Sequence, residues 1–275
     1  MNLRNFLDFD QVRMAMWHRP ARRIEINLSG RRRRNSLDPV DSSDRVRTFI
    51  NIVRLFGTES VPNFFMNLVL RTDEARREFE THPVALDAIA NGLSAERYRK
   101  LLLELYPIVW HFNPICGAAA SRIEDSHRKV RYFLYEHMQE ESGHEEWVSN
   151  DLQAIGVSSG EAAAHRPTTS TLTLVGYNYW TADRQNPCSV LGMLYALEVI
   201  ASVYGGSFAE SVRDSLLLTD DRGVSFIGSH ATMDAEHMAQ LRHVLNTVED
   251  DATQRSIVDS TLVNFEMVTR IFADI

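Results

Sequence analysis

From Asp44 onward the apolar residues recur with a helical period almost everywhere along the chain. Val46, Phe49, Ile50, Val53 and Leu55 predict a helix that ends at Gly57. A second follows Pro62, carrying Phe64, Phe65, Leu68 and Val69. A long helix starts at Ser94 and runs through Tyr98, Leu101, Leu102 and Leu105; Pro107 should kink or divide it. Ser126 opens the next, which reaches Leu152 and stops near Gly156. Pro167-Thr168-Thr169-Ser170 reads as a helix start leading into Leu174, Tyr177 and Trp180. The run from Ser189 to Tyr204 is apolar nearly all round, so it belongs in the core, and Gly205-Gly206 is expected to close it. A shorter helix covers Phe208 to Leu217, another follows the Asp220–Gly223 turn, and a last one spans about Ala252 to Phe272. With no strand, hairpin or repeat pattern, the chain predicts an all-α fold of roughly eight helices.

The first ~40 residues lack this period, and Gly30, Pro39 and the run Arg31-Arg32-Arg33-Arg34 mark a linker. The expected division is an irregular Arg-rich arm over residues 1–43 and a single helical domain over 44–275. The net charge of -8 argues against a nucleic-acid partner, and the Arg run reads first as a solvated connection. Asp8, Asp10 and Arg13 interrupt any secretory signal pattern, and no apolar run stands out as long enough to cross a bilayer, so a cytoplasmic protein is expected. The two cysteines, Cys116 and Cys188, are too few for a disulfide framework or a thiolate metal site and read as small buried hydrophobes.

One segment carries chemistry. His230, Asp234 and His237 form an H-x3-D-x2-H pattern, which stacks three metal-preferring groups on one helix face. Three further donors are needed to complete a redox site in a bundle. Glu140-Glu141-Ser142-Gly143-His144 offers a carboxylate and an imidazole, by Glu141 at i,i+3 or by Glu140 at i,i+4. His137 lies seven residues before His144 on the same face and suits a catalytic proton donor, an orienting group, a ligand or a hydrogen-bonded core histidine. Glu198 is a lone charge in the middle of the apolar run, and an unpaired buried carboxylate is costly unless a cation satisfies it. Leu194, Tyr195, Ser202 and Gly205 share the Glu198 side, as Phe133 and Leu134 share that of His144; Tyr195, with its polar tip, is the second catalytic candidate. Three imidazoles and three carboxylates suit iron or manganese better than tetrahedral zinc. A ferritin-like template fits poorly, because only one E-x2-H motif is present.

In order and motif these residues resemble the haem-oxygenase-like di-iron oxidases and oxygenases, the iron-containing redox enzymes, whose fold is similar to thiaminase II and pyrroloquinoline-quinone synthase. The likeness rests on Glu140/Glu141 with His144, on Glu198, on His230, Asp234 and His237, and on the E-E-x-G-H…W segment ending at Trp147; it covers roughly residues 90 to 272. It implies a haem-oxygenase-like bundle of about seven core helices with an N-terminal extension. It also implies two ferrous ions per chain, the second weakly held, with O2 as co-substrate. Implied substrates are small molecules, namely amino acids, amines or fatty acid derivatives, undergoing N-oxygenation, C–H abstraction or oxidative C–C cleavage. An external electron donor and pairing as a homodimer are compatible with it, and no membrane partner is expected. Three other readings stay open: a metal-free enzyme of the thiaminase II or quinone-synthase type, a helical interaction protein and, last, a haem-degrading enzyme.

Overall fold

Helix starts fall where a side-chain oxygen is at hand to accept from the first turn. Asn63 accepts from the Met66 amide, Ser94 from Arg97, Ser158 from Glu161, Thr168 from Thr171 and Asp250 from Thr253. The structure, a computed structural model, describes residues 63–275, except for the side chains of Thr232, Asp234 and Ala235. Its helices are α1 (Phe64–Thr81), α2 (Pro83–Asn91), α3 (Ala95–Ala120), α4 (Arg128–Glu140), α5 (His144–Ala154), α6 (Ser159–Ala164), α7 (Thr169–Arg184), α8 (Val190–Ile200), α9 (Gly206–Ser215), α10 (Ser225–Leu245) and α11 (Asp251–Asp274). No strand occurs among the described residues. The expected arm over 1–43 and the helix ending at Gly57 lie outside them.

The core forms where α3, α8 and α11 run past one another. Helix α11 packs on α1, α7 and α8, and α3 packs on α4, α5 and α7. At Gly192 the α8 backbone meets α11 so closely that a Cβ would stand 2.3 Å from the Ile257 carbonyl, which only glycine permits. Tyr98, Leu102, Phe79, Leu152 and Leu174 fill the space between the layers. Burying a side chain of this size contributes about 1.5–3 kcal/mol each.

Five expectations change. The helix expected from Ser126 to Leu152 is broken at Glu141–Gly143, where Gly143 takes φ +93. A glycine that readily enters the left-handed region ends a helix more cheaply than any other residue. Pro107 does not divide α3, which continues past both Pro107 and Pro114; the packing of α3 against its neighbours outweighs the lost hydrogen bonds. Gly205-Gly206 does not end the core helix either. Ala201–Gly205 form a π-helical turn that leads straight into α9. A Cβ at Gly205 would meet the Ile227 carbonyl on α10 at 3.4 Å, an ordinary contact. Joined in this way, Pro187–Ser215 is by length and composition apolar enough to cross a membrane, contrary to the sequence expectation, yet 67% of its most apolar window is buried inside the bundle. The short helices α2 and α6 raise the number of α-helical segments to eleven among the described residues.

Polar groups in the core act as fasteners. Glu104 of α3 accepts from the Thr168 amide and hydroxyl, from the Thr171 hydroxyl at 2.5 Å and from His165 Nε2 at 2.8 Å. Asn178 and Asn264 exchange hydrogen bonds between α7 and α11. Burial opposes the charge on Glu104, but the hydrogen bonds from Thr171, Thr168 and His165 outweigh it and hold the carboxyl below its usual value. A carboxylate lowered in the folded state stabilises fully above its unfolded pKa and loses that contribution as pH falls through the folded value. We therefore expect Glu104→Gln to cost about 1.5–3 kcal/mol near neutrality. Denaturant unfolding across pH should show the gap from wild type shrinking in acid; a gap independent of pH would refute this account of Glu104.

Candidate metal centre

The break between α4 and α5 sets the site's geometry. Glu141 lies just past the end of α4 and His144 opens α5, so the two meet across a turn and not along one helix face. His144 Nδ1 is 2.7 Å from Glu141 Oε2. His230, from α10, brings its Nε2 to 3.5 Å from the same oxygen. Its Nδ1 lies 2.9 Å from the Phe226 carbonyl, a contact that fixes Nδ1 as the protonated nitrogen and leaves Nε2 as the donor atom. On the other side, His237 Nδ1 is 3.5 Å from Glu141 Oε1 and 3.3 Å from Glu198 Oε1. His137 Nε2 is 3.6 Å from the same Glu198 oxygen.

Two donor groups result, and one carboxylate belongs to both. His137, Glu141, Glu198 and His237 form the first; Glu141, His144 and His230 form the second. All six side chains are buried or nearly so. Glu140 stands at the rim, 41% exposed, with Oε2 3.5 Å from His237 Nε2 and 4.0 Å from His137 Nδ1. The structure thus brings Glu141 into the cluster and Glu140 only to its edge. Asp234 lies on α10 between the two histidines, but its side chain falls outside the described residues.

The electrostatics are those of a crowded polar centre. Burial opposes the Glu141 charge, yet hydrogen bonds from His144 and His230 outweigh it and hold the carboxyl far below the usual range. Burial lowers His137, against the pull of Glu198 and Glu141. Burial acts the same way on His237, but its hydrogen bond to Glu198 and the surrounding carboxylates leave it raised. Despite this, both ring nitrogens of His137, Glu141 Oε1 and Glu198 Oε2 are buried with no hydrogen-bond partner. Such atoms are rare because each costs about 1–3 kcal/mol. A mixed set of imidazole nitrogens and carboxylate oxygens, partly unsatisfied and converging, fits a pair of divalent transition ions.

A cavity opens beside the cluster. Glu141, Glu198 and His230 form its polar end, and nearly all the rest is hydrocarbon from α1, α2, α3, α8, α9, α10, α11 and the π turn, including Leu101, Leu105, Ile108, Ile200 and Phe272. Tyr204 is the other polar side chain on the wall, and its hydroxyl is already donated to Glu80. Tyr195 does not reach this cavity. It is fully buried between Phe65 and Phe265, with ring centroids 6.0 and 6.3 Å away. Of the neighbours expected from helical phase only Gly205 lines the wall; Leu194 is packed in the core. On this stretch of chain the wall falls instead on Leu197, Ala201 and Tyr204, an i, i+4, i+7 stripe.

Two supporting residues escaped sequence reasoning. Asp151, on the same helix as His144, caps α10: Oδ1 accepts from the Gly223 and Ser225 amides at 3.0 Å each and from the Ser225 hydroxyl at 2.7 Å, while Oδ2 accepts from the Phe226 amide at 2.8 Å. A carboxylate at a helix N-terminus satisfies several free amides at once and meets the positive end of the helix dipole. Trp147 stacks on His144, with centroids 4.1 Å apart, and leans on His230 at 5.9 Å. Only an acid seven residues after a candidate ligand hinted at the first, and only the position of one tryptophan at the second.

The fold defines the class first. A haem-oxygenase-fold domain of unknown function from Shewanella denitrificans superposes with a TM-score of 0.69 at 22% identity, covering 78% of this chain and 92% of that one. A TenA homolog from Pseudomonas syringae gives a TM-score of 0.69 at 15% identity, over 80% and 95% of the two chains. A haem complex of heme oxygenase-1 from the cyanobacterium Synechocystis gives 0.62 at 17%, over 78% and 92%. The protein is therefore an all-α bundle with the haem-oxygenase-like fold. Among curated proteins none matches its sequence. Within that fold class the chain belongs to the iron-containing redox enzymes, whose family model matches residues 99–267.

Because Asp151 fastens the start of α10 to α5, Asp151→Ala should cost about 2–4 kcal/mol and loosen the helix that carries His230. Hydrogen exchange at the first-turn amides of α10 would report it. Unchanged protection there would show that the cap does not hold the helix.

Proposed function

We propose that this protein is an O2-dependent, non-haem di-iron oxidoreductase acting on a small organic substrate with an apolar body. The observation that carries the reading is Glu141, shared by two donor groups at the polar end of an apolar cavity. A carboxylate so placed suits two ferrous ions held side by side. When bound, the ions would supply O2 activation, and the outcomes open to such a site are N-oxygenation, C–H abstraction and oxidative C–C cleavage.

The chain's own contribution is positional. Glu141 and Glu198 would hold negative charge at the mouth of the cavity, and His144, His230 and His237 would complete the donor sets, joined by Asp234. The Phe226 carbonyl accepts from His230 Nδ1 and keeps Nε2 aimed inward. The hydrocarbon wall excludes water and holds the substrate's apolar part against the polar end. No lysine or arginine lines the cavity among the described residues, which favours a fatty acid derivative or hydrophobic amine over a polar amino acid. The metal-free alternative with a nucleophilic cysteine draws no support from the thiols. Burial raises Cys188 to about 12 and Cys116 still further, whereas a thiolate nucleophile needs the opposite shift. The reading includes a cytoplasmic location and an external electron donor.

Anaerobic reconstitution of the full chain with ferrous salt should load up to two irons per chain, and Glu141→Ala should lose both while leaving the helical circular dichroism intact. Mixing the loaded protein with O2 and a panel of amines, amino acids and fatty acids should reveal a compound that accelerates O2 uptake. Neither iron binding nor O2 consumption with any of them would end the proposal.

The cavity makes a separate expectation. Leu105→Trp narrows it on the α3 side without touching a donor. Iron content should be unchanged while KM for the best substrate rises about 10-fold or more, since one or two methylene contacts in an apolar pocket are worth roughly 10–200-fold. An unchanged KM would place substrate elsewhere.

A further inference from the structure

His137 has no part in the H-x3-D-x2-H helix, in the Glu141/His144 pair or in the lone Glu198. Its position is nonetheless that of a ligand. It projects from the last turn of α4, one turn before Glu141, and only 1% of its side chain is exposed. Phe133 stacks on its ring with centroids 5.3 Å apart, and Phe112 lies 5.7 Å away. The His237 ring meets it edge-on at 4.9 Å. The imidazole is held rigidly on all these sides by apolar or donor-bearing rings.

A histidine kept for packing or proton transfer is expected to hydrogen-bond through at least one nitrogen when buried. His137 hydrogen-bonds through neither. Its Nε2 instead stands among Glu141, Glu198 and His237, close enough that one atom from each of the four can address a single ion. Its Nδ1 faces outward to Glu140 Oε2 at 4.0 Å, and the same oxygen lies 3.5 Å from His237 Nε2. Among the described side chains, Glu140 is thus the one carboxylate that faces the outer nitrogens of two imidazoles whose inner nitrogens point at the same spot. A metal-bound histidine nearly always donates its other N–H to such a group, which fixes the ring and strengthens the donor.

We propose that His137 Nε2 is an additional ligand at the position it shares with Glu141, Glu198 and His237, and that Glu140 is the positioning residue that orients His137 and His237 from outside. This rests on the metal-centre reading above and deepens it. It separates the adjacent glutamates by role: Glu141 binds, and Glu140 aims. It also makes the two positions unequal, because the first gains a neutral nitrogen donor that the second, with Glu141, His144 and His230, lacks.

Titrating the full-length, metal-free chain with Co(II) gives a readout independent of turnover: the visible d–d absorption reports donor type, and equilibrium dialysis counts bound ions. Wild type should bind two. His137→Ala should weaken one of the two roughly 100-fold or more and shift its absorption band, with the other unchanged. Adding imidazole should restore both, as a missing donor allows and a missing packing contact does not. Glu140→Gln should weaken the same position by roughly 10- to 100-fold, the usual effect of losing an outer hydrogen-bonding partner, with a smaller band shift. Thermal unfolding without metal should be little changed in His137→Ala, since the substitution removes two unsatisfied buried atoms. The proposal falls if His137→Ala binds Co(II) with wild-type affinity and spectrum, or if it lowers metal-free stability while Co(II) binding stays intact. Wild-type protein that binds no Co(II) or Fe(II) would remove the metal-centre reading and this one together, whereas two bound ions with His137→Ala indifferent would sink this one alone.

Discussion

The buried negative charge of Glu141 is the constraint on which the rest of this structure depends. A carboxylate at this depth is tolerated only where positive or hydrogen-bonding groups converge on it, and here they come from two separate elements: His144 from α5, and His230 and His237 from α10. That convergence obliges α4 to stop, α5 to start in a new direction and α10 to lie across both. The left-handed Gly143 permits the first two, and the Asp151 cap secures the third. The apolar mass of α8 and α11 then surrounds a polar centre that the sequence distributes over a hundred residues.

Much of this was legible from the chain because it depends on local chemistry. Ser94, Thr168 and Asp250 announce helix starts by what their oxygens accept, and the structure uses them in that way. The ligand candidates on α10 were visible because two imidazoles and an acid at helical spacing are a poor choice for any plain core. What escaped were effects set by the packing partner. Pro107 could not be seen to sit harmlessly in α3, nor Gly205-Gly206 to lie inside a continuing helix, without knowing which helix lies alongside. Tyr195 was placed on the wrong wall for the same reason. Its ring lies against Phe65 and Phe265, contacts made with residues 130 and 70 positions away in the chain (195 minus 65, 265 minus 195). The choice between Glu140 and Glu141 turned on a single helix end, which periodicity locates only to within a residue or two.

The π turn at Ala201–Gly205 joins the polar and apolar halves of the site. An extra residue within a helix changes which side chains face a given neighbour, and such turns recur at functional positions. Here it follows Glu198, which faces the donors, and itself carries Tyr204 and Gly205, which face the cavity. At the other end of α8, the backbone contact of Gly192 with α11 leaves no room for sliding. Helix α8 is therefore fixed at its start, carries a donor in its middle and forms the chamber's side at its end.

A chamber enclosed mainly by hydrocarbon has few directional bonds to break when one of its side chains is exchanged. Bulk can be added or removed along α3, α9 and α11 at the modest cost of repacking, while the carboxylates and imidazoles keep their anchors on α4, α5, α8 and α10. Relatives that share this bundle at 22% identity or less are thus free to diverge by volume alone. Preference for one guest molecule over another becomes an easily evolved trait, one that can drift between lineages without disturbing the reactive centre.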